Sequence, residues 1–190
     1  MRRTLAIALA FGALVLGLLA PIQANAASAA VATPYTTKAT LTVTPSIVHT
    51  STWTKFTGHV YWYDANTATW KRVVGGTVQI RYRYAGTTTW YTMTTAKTNL
   101  DGWFSVSVQW PLTRGAVVLA KLLATAQVKN AWSPTTWVMR VADSVQLDKL
   151  AGQFCSPSGA SGIQGTSSSN YRWLKCTKTT ADPYLRWRYA

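Results

Sequence analysis

Few residues in this 190-residue chain could carry catalytic or metal chemistry. Its acidic residues are five aspartates with no glutamate, and it has two histidines and two cysteines. A serine hydrolase needs a base beside its nucleophile, and only His49 and His59 could serve; no Gly-x-Ser-x-Gly turn accompanies them. Metal sites need clustered histidine, cysteine or carboxylate ligands, which this composition does not supply. We therefore expect no enzymatic activity, no metal site and no cofactor.

Aromatic and basic residues are abundant instead, with 10 Trp, 9 Tyr and 19 Lys plus Arg giving a net charge of +14. Residue types alternate over positions 53–63, so if Phe56 and Val60 face a core, the other register faces outward. That outward register holds Trp53, Lys55, His59, Tyr61 and Tyr63. Arg81 and Arg83 take outward positions on another predicted strand, and Trp103 lies on the outward register of a third. We predict that these eight residues form a binding surface.

Such a surface suits an anionic glycan or another polyanion. Trp and Tyr rings stack on sugars, while Lys and Arg hold the attached anionic groups. The leading prediction is a non-enzymatic binding protein for polyanions or glycans of the cell envelope or extracellular matrix. One alternative is a module that interacts with, or inhibits, a secreted protein partner. Extracellular nucleic acid is a further alternative, ranked lower, and the opposing interpretation is that these aromatics only pack across strands.

Residues 1–26 predict an export signal. Arg2 and Arg3 precede an uncharged apolar run at 5–20, and the Ala-Asn-Ala at 24–26 fits cleavage after residue 26. The run is shorter than the about 20 residues that span a bilayer, so we expect no transmembrane segment after cleavage. Cleavage leaves 17 basic against 5 acidic residues, or +12. The predicted location is extracellular, with association with the cell wall as a further hypothesis.

The remaining sequence indicates an all-β fold. Residues 27–37 are rich in Ala and Thr without periodicity, which predicts a flexible arm. Over residues 38–142, alternating runs and turn signals recur about every ten residues, which predicts an antiparallel β-sandwich of about seven strands. Residues 115–128 have the composition of a helix but the alternation of a strand, and their position between strands favours a strand.

Several motifs in residues 38–142 resemble those of a known family. They are Leu41-Thr-Val-Thr-Pro45, Phe56-Thr-Gly58, Val74-Gly-Gly-Thr-Val-Gln-Ile80, Thr89-Trp90 and Thr98-Asn-Leu-Asp-Gly-Trp-Phe104. In this order they are similar to the bacterial Ig-like domains of secreted actinobacterial proteins. The resemblance implies a seven-stranded Ig-like sandwich that serves as a spacer or adhesion module and has no catalytic residues of its own.

The end of the chain predicts a linker at 143–149 and a small module at 150–190. Cys155 and Cys176 form an even pair in an exported chain, so we expect a disulfide. Closing that loop stabilises the fold by about 3 kcal/mol in the chain-entropy description. Trp173 and Trp187 are expected in the core of the module. The spacing around the cysteines resembles a Cys-pair module at the C-termini of exported actinobacterial proteins, which implies no particular activity.

Overall fold

The computed structural model describes residues 35–190, which form fourteen strands. The predicted signal peptide at 1–26 lies outside the described residues, as does most of the predicted arm at 27–37. Every regular element of the described part is a strand, which confirms the predicted all-β class. Between residues 35 and 190, no helix has the length and apolar character needed to cross a membrane.

The first sheet is built around one long strand, β4. Its five strands are β1 (Thr37–Ala39), β2 (Thr42–Thr44), β4 (Trp53–Asp64), β5 (Thr69–Arg72) and β8 (Trp103–Gln109). Strands β1 and β2 follow one another along one edge of β4, and β5 and β8 share its other edge. Within β4, Phe56 and Val60 are buried while Trp53 and Lys55 are exposed, so the predicted register is confirmed.

The second sheet packs against the first across a shared core. Its strands are β3 (Ile47–Val48), β6 (Thr77–Tyr84), β7 (Tyr91–Lys97), β9 (Ala116–Leu122), β10 (Ala131–Trp132) and β11 (Thr136–Arg140). All neighbours are antiparallel except β3, which runs parallel to β11. The ambiguous segment at 115–128 thus contains a strand, as its alternation predicted, and leaves the sheet after Leu122.

The strand order is that of an Ig-like sandwich. Strands β1/β2, β4 and β8 correspond to A, B and E of that fold, and β6, β7, β9 and β11 correspond to C, C′, F and G. Side chains of both sheets meet in one core, whose largest fully buried members are Trp110, Phe56 and Phe104. Because this core occupies the inner faces, the outer face of each sheet is left for other contacts.

The C-terminal module is a three-stranded sheet with the predicted disulfide. Its strands are β12 (Ser161–Ser167), β13 (Asn170–Thr177) and β14 (Arg186–Tyr189). Cys155 and Cys176 are bonded, and Trp187 is buried against Cys176 and Leu174. The expectation for Trp173 is wrong, because it alternates with buried Leu174 along β13 and so lies exposed on the opposite side of the strand.

The module packs onto the sandwich through a second hydrophobic cluster. Ile163 of β12 is buried against Ile47, Val141 and Val145. The segment at 143–149, predicted as a linker, therefore also contributes Val145 to this cluster. The backbone amide of Ser46 donates to the carbonyl of Thr166 at 3.0 Å. Since polar and apolar contacts both bridge the two parts, the module is held against the β3 side of the second sheet.

The ordered fold begins earlier in the chain than the composition suggests. Tyr35, assigned to the flexible arm from sequence, exchanges backbone hydrogen bonds with Gln127 and Lys129, and its ring lies 4.4 Å from that of Trp62. An Ala/Thr-rich stretch has no periodicity that would reveal this pairing, because the partner segment lies about ninety residues away along the chain.

Candidate functional site

The outer face of the first sheet carries a continuous group of aromatic rings around one lysine. We call it the aromatic face, and it consists of Lys38, His59, Tyr61, Tyr63, Trp70 and Trp103. Pairing across the strands places these residues side by side: His59 is opposite Trp103, Tyr61 opposite Lys38, and Tyr63 opposite Trp70. All six therefore point away from the core on neighbouring positions of one surface.

The rings of the aromatic face contact one another directly. His59 lies 4.8 Å from Trp103 and 5.9 Å from Tyr61, measured between ring centroids. At the other end, Tyr63 lies 5.3 Å from Trp70. The Nζ of Lys38 stands 4.1 Å from the centroid of Trp70 and 5.4 Å from that of Tyr61. The lysine thus joins the two groups of rings through cation–π contacts.

Local turns fix both ends of this face. The side-chain oxygen of Asn99 accepts from the backbone amides of Asp101 and Trp103, which sets the start of β8 opposite His59. Gly102 has a φ of +67°, and a Cβ there would lie 2.8 Å from the carbonyl oxygen of Val60. Glycine is required at 102 for both reasons, so the Asp-Gly turn noted from the sequence positions Trp103.

Two ion pairs hold the β5 edge, with Arg72 on the side of the aromatic face and Lys71 on the opposite side of the sheet. Arg72 pairs with Asp101, and Lys71 pairs with Asp64. The hydrogen bond from Lys71 holds the pKa of Asp64 below its usual value and outweighs burial, which acts in the opposite direction. Lys38 forms no such pair within residues 35–190, so its charge remains available to a ligand.

Trp53 and Lys55 lie on the same outer surface but farther along β4. Trp53 is opposite Gln109 and is 66% exposed, and Lys55 is opposite Ser107. At about 3.3 Å per residue, Trp53 stands roughly 20 Å from His59. The structure therefore places these two predicted residues on the surface of the aromatic face without direct contact with its rings.

Arg81 and Arg83 lie on the opposite side of the molecule. Their neighbours Val78 and Ile80 point into the same core as Phe56, so the arginines occupy the outer face of the second sheet. The predicted eight residues thus divide between two surfaces.

We call the second surface the basic face, and it consists of Arg81, Arg83, Trp90, Lys121 and Trp132. The guanidinium of Arg83 lies 5.3 Å from the ring of Trp90, and that of Arg81 lies 5.8 Å from Trp132. Lys121 is paired opposite Trp132 on the next strand, with its Nζ 4.7 Å from that ring. On the basic face, each basic side chain therefore lies beside a tryptophan ring.

Sequence reasoning did not identify Lys38, Trp70, Trp90, Lys121 or Trp132. Lys38 and Trp70 lie on short edge strands, whose outward residues cannot be told from loop residues by alternation. Lys121 lies within the Ala/Leu-rich stretch at 115–128, whose composition also favours a helix, and Trp132 follows that stretch. A signal was present in the outward register of β9, since Lys121 alternates with buried Ala120 and Leu122.

Neither the two histidines nor the groove beside the module forms a catalytic grouping. The Nε2 of His49 is 2.7 Å from the carbonyl oxygen of Val145, and His59 belongs to the aromatic face. A groove of about 430 Å³ separates β2 from the module and is lined mainly by hydroxyl side chains beside Trp137. Its lining includes no histidine or carboxylate that could activate one of those hydroxyls.

Comparison with known protein families finds no family that matches this chain, and comparison with curated proteins finds no relative.

Proposed function

We propose that this protein is exported and binds, without catalysis, an anionic glycan of the cell envelope or extracellular matrix. The observation that carries the proposal is the aromatic face, where Lys38 lies between the rings of Tyr61 and Trp70. Sugar rings pack on Trp and Tyr, and anionic groups on those sugars pair with the ammonium group between the rings. A polymer that carries both sugar rings and anionic groups would contact the whole aromatic face.

The charge distribution supports an anionic ligand. Four of the five aspartates already form ion pairs, with Lys71, Arg72, Arg140, and with Arg186 and Arg188 together. The cations of the aromatic and basic faces are left without acidic partners in the described part of the chain. Such uncompensated charge raises the local concentration of polyanions and accelerates their binding.

Export is supported by the signal at residues 1–26 and by the disulfide, which persists in oxidising compartments. The Ig-like strand order also agrees with the resemblance to Ig-like domains of secreted actinobacterial proteins, a kinship that we propose on the motifs given above. Each contact on the aromatic face contributes on the order of 0.5–1 kcal/mol. Stable association therefore requires several such contacts made together along one oligosaccharide.

The test is a pull-down of the processed protein on purified cell-wall material, repeated from low salt to about 0.5 M salt. The variants are Trp70→Ala and Lys38→Gln. Their matched controls are Trp173→Ala and Lys175→Gln on the module, where Trp173 has the same 41% exposure as Trp70.

We expect each aromatic-face variant to weaken binding by about fivefold, which corresponds to about 1 kcal/mol. We also expect binding to fade with salt in proportion to the charge of the polymer. Equal binding by Trp70→Ala and Trp173→Ala would contradict the assignment to this face. No binding by the wild type at low salt would refute the proposed function.

A further inference from the structure

The basic face is built to hold anionic groups as well as to cover the sheet. Arg81 donates from Nη2 to the carbonyl of Trp90 at 2.9 Å, and Arg83 donates from Nη1 to the carbonyl of Thr87 at 2.6 Å. The loop between β6 and β7 thereby fixes both guanidinium groups. Each keeps its other Nη without a hydrogen-bond partner in the described structure, and the two arginines lie roughly 7 Å apart along the strand.

The two faces are too far apart for one short oligosaccharide to reach both. Val60 of β4 and Ile80 of β6 point toward each other across the core, so the outward neighbours of these residues point in opposite directions. Packed sheets are about 10 Å apart, and side chains on both outer surfaces bring the separation of the faces to roughly 20 Å. An oligosaccharide bound to the basic face is therefore separate from one bound to the aromatic face.

From these observations we infer that the protein is bivalent, with the basic face as a second site for an anionic glycan. One molecule then bridges two polymer chains. This inference rests on the proposed function of the aromatic face and extends it.

The chemistry of the basic face favours an acidic sugar. Lys121 is 4.7 Å from the ring of Trp132, and the guanidinium of Arg83 is 5.3 Å from that of Trp90. A uronic acid carries its carboxylate directly on the sugar ring, so one residue reaches the indole and the adjacent cation together. In a nucleotide, the pentose separates the base from the phosphate, which fits these short spacings less well.

The charge of the basic face favours an anionic polymer as its ligand. Arg81, Arg83 and Lys121 supply three cations, and none of them pairs with a carboxylate in the described part of the chain. The apolar Leu119 between them is only 5% exposed, so the face offers little apolar surface apart from its two indole rings. We therefore assign an anionic polymer to this face.

The experiment measures stoichiometry and bridging separately. Calorimetry with a hyaluronan hexasaccharide, an oligomer of alternating uronic acid and amino sugar, gives the number of sites per protein. Light scattering with long hyaluronan gives bridging, because a bivalent protein produces a maximum in scattering that declines when protein is in excess. The basic-face variant is Arg81→Gln with Arg83→Gln, and a second, Trp132→Ala, serves if the first does not fold.

We expect calorimetry to give two sites for the wild type and one for either basic-face variant. These variants should still bind hyaluronan through the aromatic face, but their light-scattering maximum should be lost. Trp70→Ala with Lys38→Gln is expected to give the mirror result, and Trp173→Ala to behave as wild type. A single site in the wild type, unchanged in the basic-face variants, would overturn bivalency while leaving the proposed function intact. No binding by any form would refute both.

Two further arms test the class of ligand. Equal bridging of polyphosphate, which has charge but no sugar ring, together with an unaffected Trp132→Ala, would overturn the assignment to an acidic sugar. Tighter binding of single-stranded DNA than of hyaluronan at the basic face would do the same.

Discussion

Gly58 offers the sharpest test of how the edge of the first sheet is held. A Cβ at this position would lie 2.1 Å from the carbonyl oxygen of Thr40 and 2.7 Å from Cζ of Phe104. Ordinary contact begins at 3.4 Å, so Gly58→Ala forces the carbonyl of Thr40 outward by 3.4 less 2.1, about 1.3 Å. The backbone of the β1/β2 edge must move, because a carbonyl oxygen cannot rotate away as a side chain can.

Two hydrogen bonds oppose that movement. The amide of Thr40 donates to the carbonyl of His59, and the amide of His59 donates to Oγ1 of Thr40, both at 2.9 Å. Losing both costs about 2 kcal/mol, and overpacking against Phe104 costs about 1–3 kcal/mol more. For a domain of this size the total lowers Tm by roughly 10 °C.

The assay is thermal unfolding followed by near-ultraviolet circular dichroism, with Thr57→Ala as the control on the outer face of the same strand. Tryptophan fluorescence at low temperature supplies a second readout, because moving β1 also withdraws Lys38 from Trp70. A Tm within about 2 °C of the wild type would refute the packing argument, since no clash of this kind is relieved so cheaply.

Three further predictions concern the module and its attachment. Replacing Cys155 and Cys176 with Ser should lower the free energy of unfolding by about 3 kcal/mol, measured by urea titration; an unchanged midpoint would contradict the loop-closure estimate. Ile163→Ala should cost about 2–5 kcal/mol and make the module cleavable in limited proteolysis before the sandwich unfolds; uniform resistance would show that the cluster does not couple them. Burial alone would raise the pKa of Asp182. Hydrogen bonds from the backbone of Tyr184 and from Arg186 and Arg188 together lower it by more, so the pKa lies below its ordinary value of 3.8. Its stabilising effect is therefore present above pH 3.8 and lost as the pH falls below that value, so Asp182→Asn should flatten the acid side of the profile of unfolding free energy against pH, measured by urea titration; an unchanged profile would contradict the role of this carboxylate.

Period-2 alternation predicted the parts of the fold where one side of a strand is buried. In β4 and β6, Phe56, Val60, Val78 and Ile80 give clear inward registers, and the sandwich follows from them. Strand β5 could not be found this way, because all four of its residues are exposed and carry no alternation. The Cys155–Cys176 bond was predictable from the predicted export signal, which indicates an oxidising compartment, and from the count of two cysteines, which allows one pairing.

For the candidate site, the sequence predicts which side chains of a single strand point outward, but not which strands lie side by side. Sequence identifies that His59 and Arg81 point outward, but not that they belong to different sheets. That assignment depends on which strands pair, and β4 pairs with β8 whereas β6 pairs with β7 and β9. Lys38 and Trp70 become neighbours only because both pair with β4 from opposite edges, a relation that no local pattern contains.

The attachment of the module to the start of the sandwich has a kinetic consequence. The amide of Ser168 donates to Oγ of Ser46 across 122 positions of chain, and His49 contacts the carbonyl of Val145 across 96. Contacts that join such distant positions slow folding, because a long loop must close before they form. The first strands therefore reach their final environment only after the chain as far as Ser168 is available to contact them. For a chain exported as we propose, such a delay would keep the polypeptide unfolded during translocation, so that folding is completed on the far side of the membrane.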